Sequence, residues 1–201
     1  HAVQTVRGCF RANCGWGCNM NATRAWIVLI LGTAIIGGAV MFYQLQYAGY
    51  AELTGDQIGE IQLINVSTNE SEAILLENVK AIDTVKDGVR LSGAISFRAC
   101  FDTPSSQATL SETYVIMDDP IPLNAPSWFE CFNAQEVGAA LEDGTAIAFM
   151  SEENISYGVD RVVAFLPDGR GFVWHQLNPC GVAVFAGDNT PDGCPELPED
   201  F

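Results

Sequence analysis

Basic residues are scarce in this sequence. Nine Lys and Arg stand against 25 Asp and Glu among 201 residues, a formal net charge of −16. Because a protein that binds nucleic acid needs a cluster of basic side chains, the composition argues against nucleic acid as a partner. Histidine is scarcer still, with two residues, and the sequence holds no Gly-rich phosphate-binding motif. We therefore expect neither a cofactor nor a bound metal.

Charge is absent altogether between Arg24 and Glu52. The 18 residues from Trp26 to Tyr43 are almost all apolar and would form a helix roughly 27 Å long at about 1.5 Å per residue. That length matches the hydrocarbon core of a bilayer. The sequence therefore predicts a transmembrane helix over residues 24–50, in contact with membrane lipid, after a short leader at residues 1–23.

The basic residues flank this helix unevenly. Three arginines precede it, and no Lys or Arg follows it until Lys80. The positive-inside rule then places the leader in the cytoplasm and the domain after the helix on the opposite side of the membrane. A cleaved signal peptide is the competing interpretation. Because the apolar run is longer than a typical signal-peptide core, we favour an uncleaved membrane anchor.

Small residues lie four positions apart in the predicted helix, Thr33 with Gly37 and Ala34 with Gly38. Side chains of this size let a neighbouring helix approach closely. The sequence thus predicts an integral-membrane protein partner packed against this part of the helix. The alternative is the ordinary glycine content of a single-pass helix.

The domain after the helix is strongly acidic. All 25 acidic residues follow Tyr43, with six of the nine basic residues, so the formal charge of the domain is 6 − 25 = −19. A magnitude of roughly 2–8 is enough to keep a small domain soluble. The excess would attract a cationic protein. A basic periplasmic protein is therefore a candidate partner, and an acidic surface with no specific partner is the alternative.

The seven cysteines fall into two groups. The leader holds Cys9, Cys14 and Cys18. Their spacing matches no common zinc pattern, so it gives little support to a metal or redox site. The domain holds Cys100, Cys131, Cys180 and Cys194. Four cysteines outside the cytoplasm predict two disulfides; three pairings are possible, and proximity in the sequence favours Cys100–Cys131 and Cys180–Cys194.

The patterns of the domain predict an α+β fold that is mostly β. We expect a compact periplasmic domain of antiparallel strands with at least one short helix at residues 60–194, a tether at residues 51–59 and an acidic tail at residues 195–201. Apolar and polar residues alternate from Arg90 to Phe101, which is typical of a half-buried strand. Weaker patterns predict strands at residues 60–66 and 113–117 and an irregular chain after Cys180.

The second half of the domain carries clearer local patterns. Pro167-Asp168-Gly169-Arg170 is a strong turn sequence between strands predicted at residues 158–166 and 171–177. A further strand is predicted at residues 146–150. Asn133 with Glu136 three residues later resembles a capping box, and Gly144 would end the short amphipathic helix that follows.

His175 is the only histidine outside the leader. It could serve as a general base or a metal ligand. No Gly-x-Ser-x-Gly elbow accompanies it, and the acidic pairs of the domain lack the spacing of a calcium loop. We therefore interpret His175 as a structural strand residue whose hydrogen bonds are satisfied within the fold, and we expect no catalytic residue.

Four segments of the sequence resemble a family of small membrane proteins. The segments are Phe97-Arg98-Ala99-Cys100-Phe101, Trp128-Phe129-Glu130-Cys131-Phe132, Tyr157-Gly158-Val159-Asp160-Arg161-Val162 and Trp174-His175-Gln176-Leu177-Asn178-Pro179-Cys180-Gly181. The family is an uncharacterised one of single-pass inner-membrane proteins of alphaproteobacteria, a domain of unknown function, and the similarity covers roughly residues 22–194. It implies a periplasmic domain and transfers no catalytic residue.

Some members of that family carry a histidine-kinase label. This sequence gives the label no support, because it holds no Asn- and Gly-rich ATP-binding region and a leader of about 20 residues is too short for a kinase. Three of the domain cysteines, Cys100, Cys131 and Cys180, lie within the similar segments. Their position agrees with oxidised, structural cysteines.

These observations favour a non-enzymatic accessory or assembly subunit of an inner-membrane complex, such as a respiratory complex. A sensory or ligand-binding ectodomain of a signalling system is the first alternative. A periplasmic enzyme that uses His175 is the second.

Overall fold

The computed structural model describes residues 22–47, 49–86, 89–90 and 95–198. The leader cysteines lie outside these residues. The chain divides into two compact units, of which the first ends at Tyr43 and the second begins at Gln44. The sheets described below all belong to the second unit.

The apolar helix α1 runs from Ala22 to Gln46. From Arg24 onward it is long and apolar enough to cross a membrane, and none of its apolar span is buried. The predicted N-terminal helix is thus present, although it ends before Tyr50. A Cβ added to Gly37 or Gly38 would meet nothing within 4 Å, so packing of another helix against Thr33, Ala34, Gly37 and Gly38 stays a prediction.

Antiparallel strands form two sheets in the second unit. The strands in chain order are β1 (Tyr50–Leu53), β2 (Gln62–Ile64), β3 (Ser71–Ala73), β4 (Glu77–Lys86), β5 (Val89–Arg90), β6 (Arg98–Asp102), β7 (Ile147–Ser156), β8 (Val159–Phe165) and β9 (Arg170–Leu177). The main sheet has the order β1-β4-β6-β9-β8-β7, with β5 paired to β4, while β2 and β3 pair with each other. The predicted α+β class, mostly β and antiparallel, is confirmed.

The two ends of the main sheet are distinguished by where the chain enters it. The register places opposite one another Tyr50 and Thr84, Arg98 and Trp174, and Val159 and Leu177. We call this end, where the chain arrives from α1, the anchor end. The other end, which we call the far end, aligns Glu77, Asp102 and Arg170.

The two faces of the main sheet are both covered. One face, which we call the hairpin face, is covered by the β2–β3 hairpin and by helix α2 (Gln107–Thr113), through Ile61, Leu63 and Leu110. The opposite face, which we call the disulfide face, is covered by residues 117–142, the covering segment, which ends in helix α3 (Ala134–Glu142). Because both faces are buried, all seven side chains of β8 are buried rather than alternate ones.

Two predicted local features are present with their expected causes. The turn sequence at residues 167–170 joins β8 to β9, with Gly169 at φ +91°, a conformation that glycine adopts without strain. Asn133 caps α3, since its side chain accepts hydrogen bonds from the backbone N–H groups of Gln135 and Glu136.

The long strand predicted from Arg90 to Phe101 is wrong in its extent. Residues 95 and 96 form a turn, and the strand begins at Arg98. Residues 91–94 of the predicted strand lie outside the described residues. The strand predicted at residues 113–117 is also wrong: α2 occupies residues up to Thr113, and only Tyr114 and Ile116 make isolated bridges.

Two segments predicted as irregular are regular. Strand β1 lies where the sequence predicts the end of the anchor and the start of a tether, and its Leu53 is buried. Helix α4 (Pro179–Ala186) lies where an irregular chain is predicted after Cys180. Asn178 caps α4 through Gly181 N, Pro179 is at its first turn, and Gly187 ends it in the left-handed conformation.

Candidate functional site

Both predicted disulfides are present. Cys100 of β6 bonds to Cys131 of the covering segment, across 31 residues of sequence. Cys180 of α4 bonds to Cys194, across 14 residues. The first disulfide links the sheet to its cover within the apolar core of the disulfide face, whereas the second holds the segment that follows α4.

Two clefts of about 430 and 340 Å³ adjoin the Cys100–Cys131 disulfide. They share Lys80, Glu130 and Cys131 in their linings. The first cleft also contains β1 residues and Trp128, and the second contains Asp102 and Arg170. Together they form a continuous concave surface on the disulfide face, which we call the double cleft.

Carboxylates outnumber cations in the double cleft. Its acidic residues are Glu52, Asp102, Glu130 and Glu136, and its basic residues are Lys80 and Arg170. Arg170 is already engaged: its Nη1 lies 3.0 Å from Glu136 Oε1 and its Nε lies 2.8 Å from Asp168 Oδ2. The double cleft therefore presents a net negative surface, suited to a cationic group.

The Arg170 contacts shift the ionisation of their partners in the expected directions. The hydrogen bond from the Arg170 side chain lowers the pKa of Asp168 below its usual value. Hydrogen bonds to Asp168 and then to Glu136 raise the pKa of Arg170. Asp168 and Arg170 therefore remain charged at neutral pH, and Arg170 fixes the far-end wall of the second cleft.

His175 lies in the interior, far from solvent. It is 1% exposed, and its ring stacks on Phe97 with 4.9 Å between ring centroids. Arg161 Nε donates to His175 Nε2 over 3.1 Å. Because a guanidinium can only donate, that ring nitrogen is held as an acceptor. This geometry agrees with the interpretation of His175 as a satisfied strand residue.

Other polar groups are buried near His175 on the hairpin face. Arg161 also contacts Glu152, with 3.5 Å between Nη1 and Oε2. Asp83 is 1% exposed, and its Oδ1 accepts from Ser96 Oγ at 2.7 Å and from Thr84 N at 2.8 Å. The sequence alone did not single out these residues, since a lone acid or base in a strand gives no sign of burial.

Arg98 is the buried cation of the disulfide face. It is 3% exposed, and its guanidinium donates to the carbonyls of Ile95 and Phe97 at 2.6 Å and of Leu123 at 2.8 Å. Burial lowers its pKa to about 10, although Tyr50 and Asp83 act in the opposite direction. Arg98 therefore joins the covering segment to the sheet through backbone carbonyls, a role that the sequence reasoning missed.

Among the residues that the structure describes, no group of three or more His, Cys, Asp or Glu side chains is arranged to hold a metal ion.

The fold and the double cleft define a class of protein: a disulfide-linked, mostly β domain that follows an apolar helix. Residues 61–195 match a family of unknown function (DUF6446), so the chain belongs to that family. No curated protein and no solved structure matches it.

Proposed function

We propose that this protein is a membrane-anchored accessory or assembly subunit whose acidic domain binds a basic partner protein in the double cleft. The domain lies in the periplasm of a Gram-negative cell, and the partner belongs to an inner-membrane complex, such as a respiratory complex. The observation that carries the proposal is the acidic lining of the double cleft, where four carboxylates face two cations.

The remaining features support an interaction protein more than an enzyme that uses His175. A general base needs access to its substrate, and His175 is 1% exposed with Nε2 held by Arg161. The double cleft lies on the opposite face of the sheet from His175. Its polar, charged lining differs from the mainly apolar pockets that bind small molecules, which favours a protein surface over a sensory ligand.

Topology is the first requirement of the proposal. Fusions of a periplasmic reporter and of a cytoplasmic reporter after Gly55 should give activity only with the periplasmic one. The reverse pattern would overturn the proposal, because the domain would then face the reducing cytoplasm, where disulfides rarely persist.

The partner can be tested by isolating the full chain from gently solubilised membranes. We expect a stoichiometric basic protein whose association slows as salt rises from about 10 to 150 mM, where the Debye length shrinks from roughly 30 to 8 Å. Glu52→Gln with Glu130→Gln should weaken the association. Glu70→Gln with Glu112→Gln removes the same charge from exposed sites outside the double cleft and serves as the matched control.

Equal weakening by both pairs of substitutions would place the partner outside the double cleft. Association that is unchanged across the salt range would show that charge does not guide it. A small bound molecule in place of a protein would instead support the sensory ectodomain.

A further inference from the structure

The anchor end of the sheet is joined to the last residue of α1. Ser127 N donates to Gln46 Oε1 over 3.1 Å, and Trp128 Nε1 donates to Gln46 O over 2.6 Å. Gln46, Ser127 and Trp128 all belong to the second compact unit. The covering segment therefore touches the point at which the apolar helix ends.

The length of the apolar helix indicates where Gln46 lies in a bilayer. If the residues up to Tyr43 span the hydrocarbon core, Gln46 follows by three residues, or roughly 4.5 Å at 1.5 Å per residue. The headgroup layer is about 5–7 Å thick on each side of the core. Gln46 and the Trp128 indole bonded to it then lie in that layer, which tryptophan favours.

Helix α4 lies at the same end of the sheet. It begins two residues after Leu177, the last residue of β9, which is opposite Val159. Asn178 N donates to Gly158 O over 3.0 Å, and a Cβ on Gly158 would collide with the backbone of Gly181. This close contact with the β7–β8 turn fixes α4 at the anchor end.

Exposed apolar side chains gather at this end. Val182 and Phe185 of α4 are 55% and 65% exposed, Ile121 of the covering segment is 61% exposed, and Ile95 is 42% exposed. Ile121 belongs here because its N–H donates to the Gln176 side chain, near the end of β9, over 2.8 Å. Water contact is unfavourable for each of these groups.

Helix α4 and its two capping residues lack charge. Residues 178–187 contain no Asp, Glu, Lys or Arg, in a domain that otherwise carries a strong negative charge. The far end, by contrast, presents Glu77, Asp102 and Arg170. Exposed carboxylates of Asp119, Glu153 and Asp188 flank α4 and Ile121. The apolar surface is therefore formed by the exposed side chains of α4, Ile121 and Ile95 themselves.

We infer that the anchor end rests on the bilayer that α1 crosses, with Val182 and Ile121 in the boundary between headgroups and acyl chains. The inference depends on α1 being a membrane anchor, as in the proposed function, and does not depend on the double cleft or its partner. A bilayer is the occupant that fits, because Gln46 brings its headgroup layer to this end by chain connectivity alone. Attachment to such a boundary strengthens with the apolar area that is buried in it.

Site-specific photo-crosslinking tests this contact. The full chain is placed in phosphatidylcholine liposomes with p-benzoylphenylalanine at Val182 or at Ile121. Leu75, 63% exposed at the far end, is the matched control, and Ile36, 66% exposed in α1, is the positive control. Leu75 belongs to the far end because its carbonyl accepts from Thr103, which bonds to the β8–β9 turn.

After irradiation, mass spectrometry should find lipid adducts at Ile36, Val182 and Ile121, with a yield at least several-fold above that at Leu75. Intact disulfides in each variant show that the domain has folded. In the unmodified chain, hydrogen exchange of residues 182–187 should be slower in liposomes than in a lipid-free amphipol, with no change near Leu75.

The outcomes separate this inference from the proposed function. A lipid adduct at Ile36 without one at Val182 and Ile121, or unchanged hydrogen exchange in α4, would overturn the inference and leave the anchor intact. Crosslinked dimers at Val182 would assign the surface to a second copy of the chain and also overturn it. No adduct at Ile36 would remove the anchor, and both proposals would fail.

Discussion

The two faces of the main sheet are buried by different means. The hairpin face is covered by regular elements, the β2–β3 hairpin and α2, through apolar side chains. The covering segment of the disulfide face has no regular structure between Met117 and Asn133. Phe129 and Phe132 bury it against the sheet, and it is also held by the Arg98 guanidinium, the Gln176 side chain and the Cys100–Cys131 bond. An irregular segment lacks the regular backbone hydrogen bonds of a helix or a sheet. Its backbone groups are therefore bonded by side chains, and a disulfide links it to the sheet.

Removal of the Arg98 guanidinium should have the largest effect. Arg98→Met keeps much of the side-chain volume but leaves four carbonyls without their donor, at about 1–3 kcal/mol for each unsatisfied group. We expect a loss of roughly 5 kcal/mol in the free energy of unfolding, measured by urea with tryptophan fluorescence. Arg170→Met is the control, because Arg170 is an exposed arginine with two carboxylate partners; it should cost less than about 1 kcal/mol. Equal losses would show that Arg98 does not hold the cover.

The Cys100–Cys131 bond should come next. A loop of this length contributes about 4 kcal/mol when the bond restricts the unfolded chain. Cys100→Ala with Cys131→Ala should therefore lower the free energy of unfolding by about that amount. Hydrogen exchange should accelerate first in the covering segment, because Cys131 belongs to it, and later in the strands. Unchanged protection of the covering segment would contradict a structural role for this bond.

The Cys180–Cys194 bond should behave differently although its calculated contribution, about 3 kcal/mol, is similar. Of the α4 residues only Gly181 is buried, so the segment after Asn178 can open without the sheet. Cys180→Ala with Cys194→Ala should accelerate hydrogen exchange in residues 179–194 and change global unfolding by less than about 1 kcal/mol. A global loss near that of the first bond would show that α4 is part of the cooperative core.

The sequence indicated the parts that depend on local chemistry. The β8–β9 hairpin follows from its turn residues, α3 from the Asn133 cap, and the disulfides from proximity. Asn178, Pro179 and Gly187 are typical of the start and end of a helix. The sequence between them has no clear helical period, so α4 was not predicted. Helix α2 has seven residues, too few for a helical period to be clear.

Other features depend on contacts across the chain. The burial of Arg98 requires Leu123, 25 residues away, and the double cleft exists only because Cys100 and Cys131 bring the sheet and its cover together. Neither feature leaves a pattern in the residues around it. The sequence predicts an acidic domain, because its charged residues can be counted. It does not predict an acidic cleft, because the positions of those residues depend on the fold.

The smallest expected effect concerns Asp168 at the far end, where exposed ion pairs replace the buried contacts of Arg98. Arg170 lowers the pKa of Asp168 in the folded state, so the carboxylate stabilises the fold above its unfolded pKa of about 3.9. That contribution is lost as the pH falls through the folded pKa, because the group is then protonated in both states. Both side chains are about half exposed, and solvent screening limits the effect to roughly 0.5 kcal/mol. Asp168→Asn keeps the turn acceptor and removes the charge. Its stability deficit should be visible at pH 7 in low salt, should shrink as the pH falls below about 3.9, and should vanish in roughly 1 M salt. A deficit that persists under both conditions would mean that the turn geometry, and not the charge, had been damaged.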